Sequence, residues 1–493
     1  MMQSTHVVIV GLDGLRADMM TADLTPNLLR LAQQGVWFQR HHAVFPTATR
    51  VNVTSLITGT NSGTHGIVNN SIFEPGVSPD RQVDFGKYDL VEAADVFYGG
   101  ALLGAPSFGE VLTAHGGTMV AVSAGTTGSN RLMHHKVKTL GGVGFSTQGM
   151  QACYPTAEAE AVIARCGPVP AAGKPDHARQ EYITNAFLEY LFPVHQPRVT
   201  ILWFSDPDLT SHYCGIGSEE CFSSIRAADA QLGRLMAWAQ QPAMQGRVHL
   251  MALSDHGHIT VRGQLSVAEQ LTAAGFPACN GTFGEGDIAV VPGSTGSIHL
   301  RTHDGQRLHA IARWLQEQPW CGSLFTQGKN AVEGIVPGTL SRALVLNEHA
   351  RAGDIVYVMR TDEATDARGI IGGGYDDSRV PVGGGTHGGL SQHELHNVCV
   401  AYGPAFQQGL VSTVPSGTID LMPTLLHLMD YPIPPQVEGR ILHEALAQPQ
   451  ERAAAAISQT YSAEAVTSAG LYRQHLTTTQ VGRTVYLERG WAE

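Results

Sequence analysis

At 493 residues, with 43% hydrophobic and 15% charged side chains, the chain has room for two or three domains and too little charge for charge-driven disorder. Its 43 acidic residues outnumber 31 Lys and Arg, and the net charge of −12 argues against a nucleic-acid polymer as partner. Gly (56) and His (23) are both abundant, a composition suited to turns that carry metal-binding side chains.

The first apolar run, 7–10, reads as a buried strand ending at Gly11-Leu-Asp-Gly14. Thr25-Pro26 opens a helix that stops at Gly35, and a second helix starts near Thr49. A helix over 108–115 leads into a strand over 118–123. Apolar runs at 199–204 and 248–253 flank an amphipathic helix around 225–238. Strands alternating with helices at this spacing predict an α/β fold, a mostly parallel sheet sandwiched by helices.

From 261 to 382 the pattern changes to a compact α+β insertion, with helices at 266–274 and 307–317, strands at 287–291 and 355–359, and a Gly-rich return loop at 369–385. The sheet pattern resumes with a strand at 398–402 and a helix at 418–429. The expected organisation is a core of 1–260 and 383–447, a cap of 261–382 and a C-terminal extension of 448–493 with a hairpin turning near 480–482. That hairpin edge leaves a homodimer open as an arrangement.

No basic leader precedes a long apolar run, and no apolar segment approaches the ~20 residues of a membrane span. The seven cysteines are scattered without a C-x-x-C pair. A cytoplasmic protein without a membrane partner is the expectation.

Carboxylates follow three of the expected strands: Asp13, then Asp206 and Asp208, then Asp255 beside His256. In an open parallel sheet the carboxyl ends of strands converge on one crevice, and the negative charge gathered there calls for bound cations. His212 stands four residues after Asp208, and His387 lies in a Gly-flanked turn. Mixed Asp and His donors suit zinc or manganese. Each residue also has a plainer reading: Asp as turn former, Asp208–His212 as a helix-face pair, Thr49 as an N-cap. If the helix starts near Thr49, its hydroxyl lies at the positive helix end, and Asn52 could donate to a phosphoryl oxygen from the same face.

Together, Gly11-Leu-Asp-Gly14, Thr49-x-x-Asn52 with Ser55-Leu-Ile-Thr-Gly59, Thr64-His-Gly-Ile67, Asp208-x-x-x-His212, Ser254-Asp-His-Gly257, Thr386-His-Gly388 and Ile419-Asp-Leu-Met-Pro-Thr424 resemble the alkaline phosphatase superfamily, most closely its nucleotide pyrophosphatase/phosphodiesterase branch. The resemblance implies an alkaline phosphatase-like fold and two divalent metal ions, zinc or manganese. Asp208, His212 and His387 would hold one; Asp13, Asp255, His256 and the Thr49 oxygen would hold the other. It also implies a phosphodiester or pyrophosphate hydrolase with Thr49 as nucleophile, a phosphothreonine-type intermediate, and Asn52 steadying the transition state. His65 and Asp206 have no ligand role in that pattern.

Nucleotide-cleaving relatives typically carry Phe after the nucleophile, where this chain has Arg50. Arg50 could pair with an anionic group of a small phosphodiester, pyrophosphate or phosphonate substrate, which keeps a phosphonoacetate hydrolase-like carbon–phosphorus hydrolase as the alternative. A non-catalytic phosphoryl-ligand binder is the alternative of a different class.

Overall fold

The computed structural model describes residues 5–302, 304–449, 451 and 453–493. Its central sheet has eight strands, in the order Leu410–Ser412, Val36–Phe38, Cys399–Tyr402, Val248–Leu253, His6–Leu12, Val199–Phe204, Met119–Ser123 and Val143–Ser146. The last five of these run parallel, and Cys399–Tyr402 is antiparallel to Val248–Leu253. Alternate residues of His6–Leu12 enter two different cores: Val7 and Ile9 pack on one face, Val8 and Val10 on the other. A strand buried on both faces needs no polar alternation, which is why it reads as a continuous apolar run. This is the mostly parallel α/β architecture expected.

Local chemistry sets the helices around the sheet. Pro26 occupies the first turn of Pro26–Gln34 and Gly35 ends it. Thr25 does not cap that helix with its side chain; Asp229, on the long helix Glu219–Ala239, instead accepts the Asn27 and Leu28 amides at 3.0 and 2.8 Å. The tertiary partner has replaced the local one.

Residues after Val248–Leu253 build a second, six-stranded sheet in the order Ala278–Asn280, Ile288–Val291, Thr295–Leu300, Ile355–Met359, Cys321–Thr326 and Leu340–Ser341. The helices Val267–Ala273 and Gly305–Gln316 contribute to its own hydrophobic core.

Two sequence expectations differ from the structure. The Gly-rich 369–385 stretch is not only a return loop, because Ile371–Asp376 is a strand paired with Ile259–Gln264. Its glycines make room for neighbours: a Cβ on Gly373 would lie 2.0 Å from Nε of Arg262. The C-terminal extension is a three-stranded antiparallel sheet, Ala456–Thr467, Gly470–Val481 and Thr484–Ala492, rather than a hairpin alone. The expected turn is present, with Val481 opposite Thr484 and Gly482 at φ +61. Among the described residues, no helix is long and apolar enough to cross a membrane.

Candidate metal centre

Adjacent strand ends bring the candidate donors together. Asp13 follows His6–Leu12, Asp208 opens the helix Asp208–Cys214 just beyond Val199–Phe204, and Asp255 with His256 follows Val248–Leu253. The Asp208 amide donates to the Asp13 carbonyl at 2.9 Å, which locks two of these ends together.

The donors form two groups, in each of which the ligand atoms lie within 4.8 Å of one another: Asp208, His212, His258 and His387, and Asp13, Asp255 and His256. In the first, Asp208 Oδ1 lies 3.2 Å from His212 Nε2, 3.0 Å from His258 Nε2 and 3.4 Å from His387 Nε2. In the second, His256 Nε2 lies 3.7 Å from Asp13 Oδ1 and 3.4 Å from Asp255 Oδ2. The His256 and His387 rings stack with centroids 3.7 Å apart, so the two groups adjoin.

This donor set fits divalent metal ions. The Nδ1 atoms of His212, His258 and His387 face the carbonyls of Gly385, Gly14 and Thr47 at 2.6, 2.9 and 2.8 Å. An Nδ1–H donating to a carbonyl leaves the Nε2 lone pair aimed at the group, the usual arrangement of a ligating histidine. Asp255 Oδ1 accepts the Gly14 amide at 3.1 Å, while Oδ2 is buried without a hydrogen-bond partner. A buried carboxylate oxygen left open in this way is costly unless a cation meets it.

The electrostatics agree. Burial, then repulsion from Asp255 and Asp208, holds the Asp13 carboxyl well above the usual range, although Trp203 and Arg50 pull it down. Burial, with Asp208 adding to it, raises Asp255 to about 7 against the Gly14 amide. For Asp208, burial would raise the carboxyl, but His212, His258 and His387 together bring it well below the usual range. Burial lowers His256 to about 3 and also lowers His387, which favours the neutral ring a metal requires.

Thr49 is the first residue of the helix Thr49–Thr58, and Ala48 takes the cap position without a side-chain bond. The Thr49 hydroxyl therefore does not serve as an N-cap; Oγ1 lies 3.2 Å from His256 Nε2 and 3.5 Å from Asp13 Oδ1. The neighbouring loop also positions His387: Thr47 accepts its Nδ1–H on the carbonyl oxygen and the Gly388 amide on Oγ1 at 3.0 Å.

Asn52 does not face the centre. It is fully buried, with Oδ1 accepting the Val44 amide at 2.7 Å and Nδ2 donating to the carbonyls of Val44, Pro46 and Ala48. A carboxamide spent on the loop cannot also donate to a phosphoryl oxygen, so its expected transition-state role is corrected to a structural one. The residue that sequence reading missed here is Asn70. Its Oδ1 accepts the Arg50 amide at 3.0 Å, one residue from Thr49, and among the described residues its Nδ2 makes no hydrogen bond.

His258 was also missed; its signal is the alternation of His256 and His258 beyond a strand end. Arg50 directs Nη2 to Thr126 Oγ1 at 3.1 Å. Asp206 is turned away, accepting from Asp176, Gln180 and Thr210, and His65 bonds Ser55 at 3.0 Å. Neither belongs to the two donor groups. A cleft of about 840 Å³ between residues 81–90 and the second sheet's module, with Arg81, Lys87 and Arg379 in its walls, contains none of the clustered donors.

Residues 7–301 match the family model described as type I phosphodiesterase / nucleotide pyrophosphatase. Venom phosphodiesterase 2 of Crotalus adamanteus is 24% identical over 260 residues, 52% of this chain and 27% of that protein. An uncharacterized pyrophosphatase/phosphodiesterase of Schizosaccharomyces pombe is 42% identical over 73 residues, 15% of each chain. The matched stretches thus span about a quarter or less of these relatives. Murine ectonucleotide pyrophosphatase / phosphodiesterase 5 has a similar fold, with a TM-score of 0.61 and 18% identity, covering 90% of this chain and all of that one. An inactive variant of the murine protein, in complex with AMP, aligns with a TM-score of 0.59 and 19% identity over 87% of this chain and 96% of its own.

Proposed function

The chain belongs to the type I phosphodiesterase/nucleotide pyrophosphatase family, and from that premise we propose that it hydrolyses phosphodiester or pyrophosphate bonds of small molecules at a dinuclear centre, with Thr49 as nucleophile. The observation that carries this reading is the Thr49 hydroxyl, uncommitted to helix capping and 3.2 Å from His256 Nε2 at the junction of two donor groups.

Asp208, His212 and His387, joined by His258, would hold one metal ion; Asp13, Asp255, His256 and Thr49 Oγ1 would hold the other. Zinc suits these imidazole and carboxylate donors, and manganese is the second choice. When bound, such ions lower the pKa of a coordinated hydroxyl and neutralise charge on the attacking and leaving oxygens. Thr49 Oγ attacks phosphorus, the P–O bond to the leaving group breaks, and water later hydrolyses the phosphothreonine. Asn70, held through its oxygen by the Arg50 amide, presents an N–H donor beside Thr49 for a phosphoryl oxygen. The Thr49–Thr58 helix adds its positive N-terminal end.

The AMP carried by the murine relative's variant supports a nucleotide-like substrate. Arg50 supports a second reading, an anionic phosphonate cleaved at carbon–phosphorus, because among the described residues its guanidinium has no carboxylate ion-pair partner. Seven free cysteines support a reducing, cytoplasmic setting.

The test is kcat/KM of zinc-loaded protein on p-nitrophenyl-TMP, bis-p-nitrophenyl phosphate, p-nitrophenyl phosphate and phosphonoacetate. Diester cleavage well above monoester cleavage, reduced by about three or more orders of magnitude in Thr49→Ala, is expected. Phosphate release from phosphonoacetate alone selects the second reading. Activity surviving in Thr49→Ala removes Thr49 as nucleophile, and no turnover with retained phosphate binding makes the protein a binder.

A further inference from the structure

A third set of metal-type donors stands outside the candidate centre. His42 and His396 are directly opposed across the antiparallel strands His41–His42 and His396–Asn397, with ring centroids 4.9 Å apart. Glu488, on the C-terminal strand Thr484–Ala492, places Oε2 3.2 Å from His42 Nε2 and 3.0 Å from His396 Nε2. The ligand atoms of all three residues lie within 4.8 Å of one another.

The orientation of His42 points to a cation. Its side chain is 1% exposed, and Nδ1 lies 2.8 Å from the Ser416 carbonyl, which can only accept. The proton of a neutral ring must therefore sit on Nδ1, leaving Nε2 as a lone pair facing a carboxylate oxygen. That Nε2 is buried without a hydrogen-bond partner. Two acceptors aimed at one another repel unless a proton or a metal ion lies between them.

Three further features favour the metal. Arg40 Nη2 holds Glu488 Oε1 at 2.7 Å, which fixes the carboxylate with Oε2 turned toward the histidines, as the outer partner of a ligating carboxylate does. Tyr486, two residues before Glu488 on the same strand, stacks on the His42 ring at 5.4 Å and donates its hydroxyl to Asp420 at 2.7 Å, so both elements are pinned before any ion arrives. The His396 side chain is 38% exposed, which gives an entry path and room for a water in the remaining position.

We propose that His42, His396 and Glu488 form a third cation site, of the zinc class, that fastens the C-terminal sheet to the segment leading into Thr49. Two imidazoles and one carboxylate with an open fourth position are a recognised zinc set. The segment between His42 and Thr49 contains Thr47, which holds His387, so the clamp steadies the candidate centre's surroundings without contributing a ligand to it.

The test is a count of bound zinc per chain by elemental mass spectrometry, after equilibrating the metal-stripped full chain with buffered free zinc. Wild type is compared with His396→Ala and Glu488→Gln, with Asp208→Ala as a control at the other centre. The expected result is one zinc fewer in each of the first two variants than in wild type, together with a smaller zinc-dependent rise in Tm than wild type shows. Near-UV circular dichroism of both variants checks that the packing is retained. Equal zinc content in wild type and both variants overturns the proposal and leaves a protonated histidine–carboxylate network. The readout is a difference between variants, so failure of the dinuclear reading changes the total and not this difference.

Discussion

Trp203 donates its indole N–H to Asp13 Oδ2 at 2.9 Å across two neighbouring parallel strands. Gly11, opposite Trp203 in the register, leaves space for the ring, since a Cβ there would lie 2.1 Å from it. The indole thereby fixes Asp13 so that Oδ1 faces Thr49 and His256. Trp203→Phe keeps the apolar bulk and removes only the donor. Zinc affinity of the Asp13 group and diester kcat/KM should both fall about 10- to 100-fold. Unchanged zinc affinity in a titration against a chromophoric chelator would refute an orienting role.

Asn52 and Asn70 should separate cleanly. Asn52→Ala strands the Val44 amide and carbonyl inside the loop, and the expected cost is roughly 1–3 kcal/mol, read as a lower urea midpoint. Asn70→Ala removes a donor beside Thr49 and also leaves the Arg50 amide without its acceptor. Its kcat should drop about 10²- to 10³-fold, with a smaller fall in the urea midpoint than Asn52→Ala gives, because one part-buried amide rather than a buried amide and carbonyl loses its partner. The reverse pattern, with Asn52 controlling kcat alone, would restore the role first expected for it.

The contrast between these two asparagines shows where sequence is informative. Strands buried on both faces print themselves as apolar runs, so the positions of Asp13, Asp208 and Asp255 at strand ends were legible. Asn52 lies within the helix Thr49–Thr58 and Asn70 twelve residues beyond its end, and the hydrogen bonds each makes in space separate their roles. Ile371–Asp376 was hidden because its glycines make room for neighbouring groups instead of presenting alternating side chains. Ala456–Thr467 is exposed along most of its length, so it has no buried face to set a period.

His258 offers a fourth donor to the Asp208 group, and the backbone is shaped around it. Gly14 has φ +70, and a Cβ there would lie 2.2 Å from His258 Cε1. In His258→Ala the affinity of one zinc should weaken about tenfold or more while the other is retained. Two zinc ions held as tightly as in wild type would show that His258 only orients Asp208.

Asp377 should impose a pH dependence on stability. Its Oδ2 accepts from Tyr357 Oη at 3.0 Å and from the Val267 amide at 3.2 Å, joining the six-stranded sheet to its helix. Burial, opposed by these donors and reinforced by Asp376 and Glu269, raises the carboxyl from 3.8 to about 7. Between those values the folded chain holds a proton that the unfolded chain has released, so this group's contribution is complete below about 4 and declines as pH rises toward 7. From pH 5 to pH 8 the decline should amount to roughly 2–3 kcal/mol. Asp377→Asn resembles the protonated form and lacks the titration, so its urea-unfolding free energy should change less over that interval. Parallel pH profiles for the two proteins would mean that Asp377 is already ionised in the fold at pH 5.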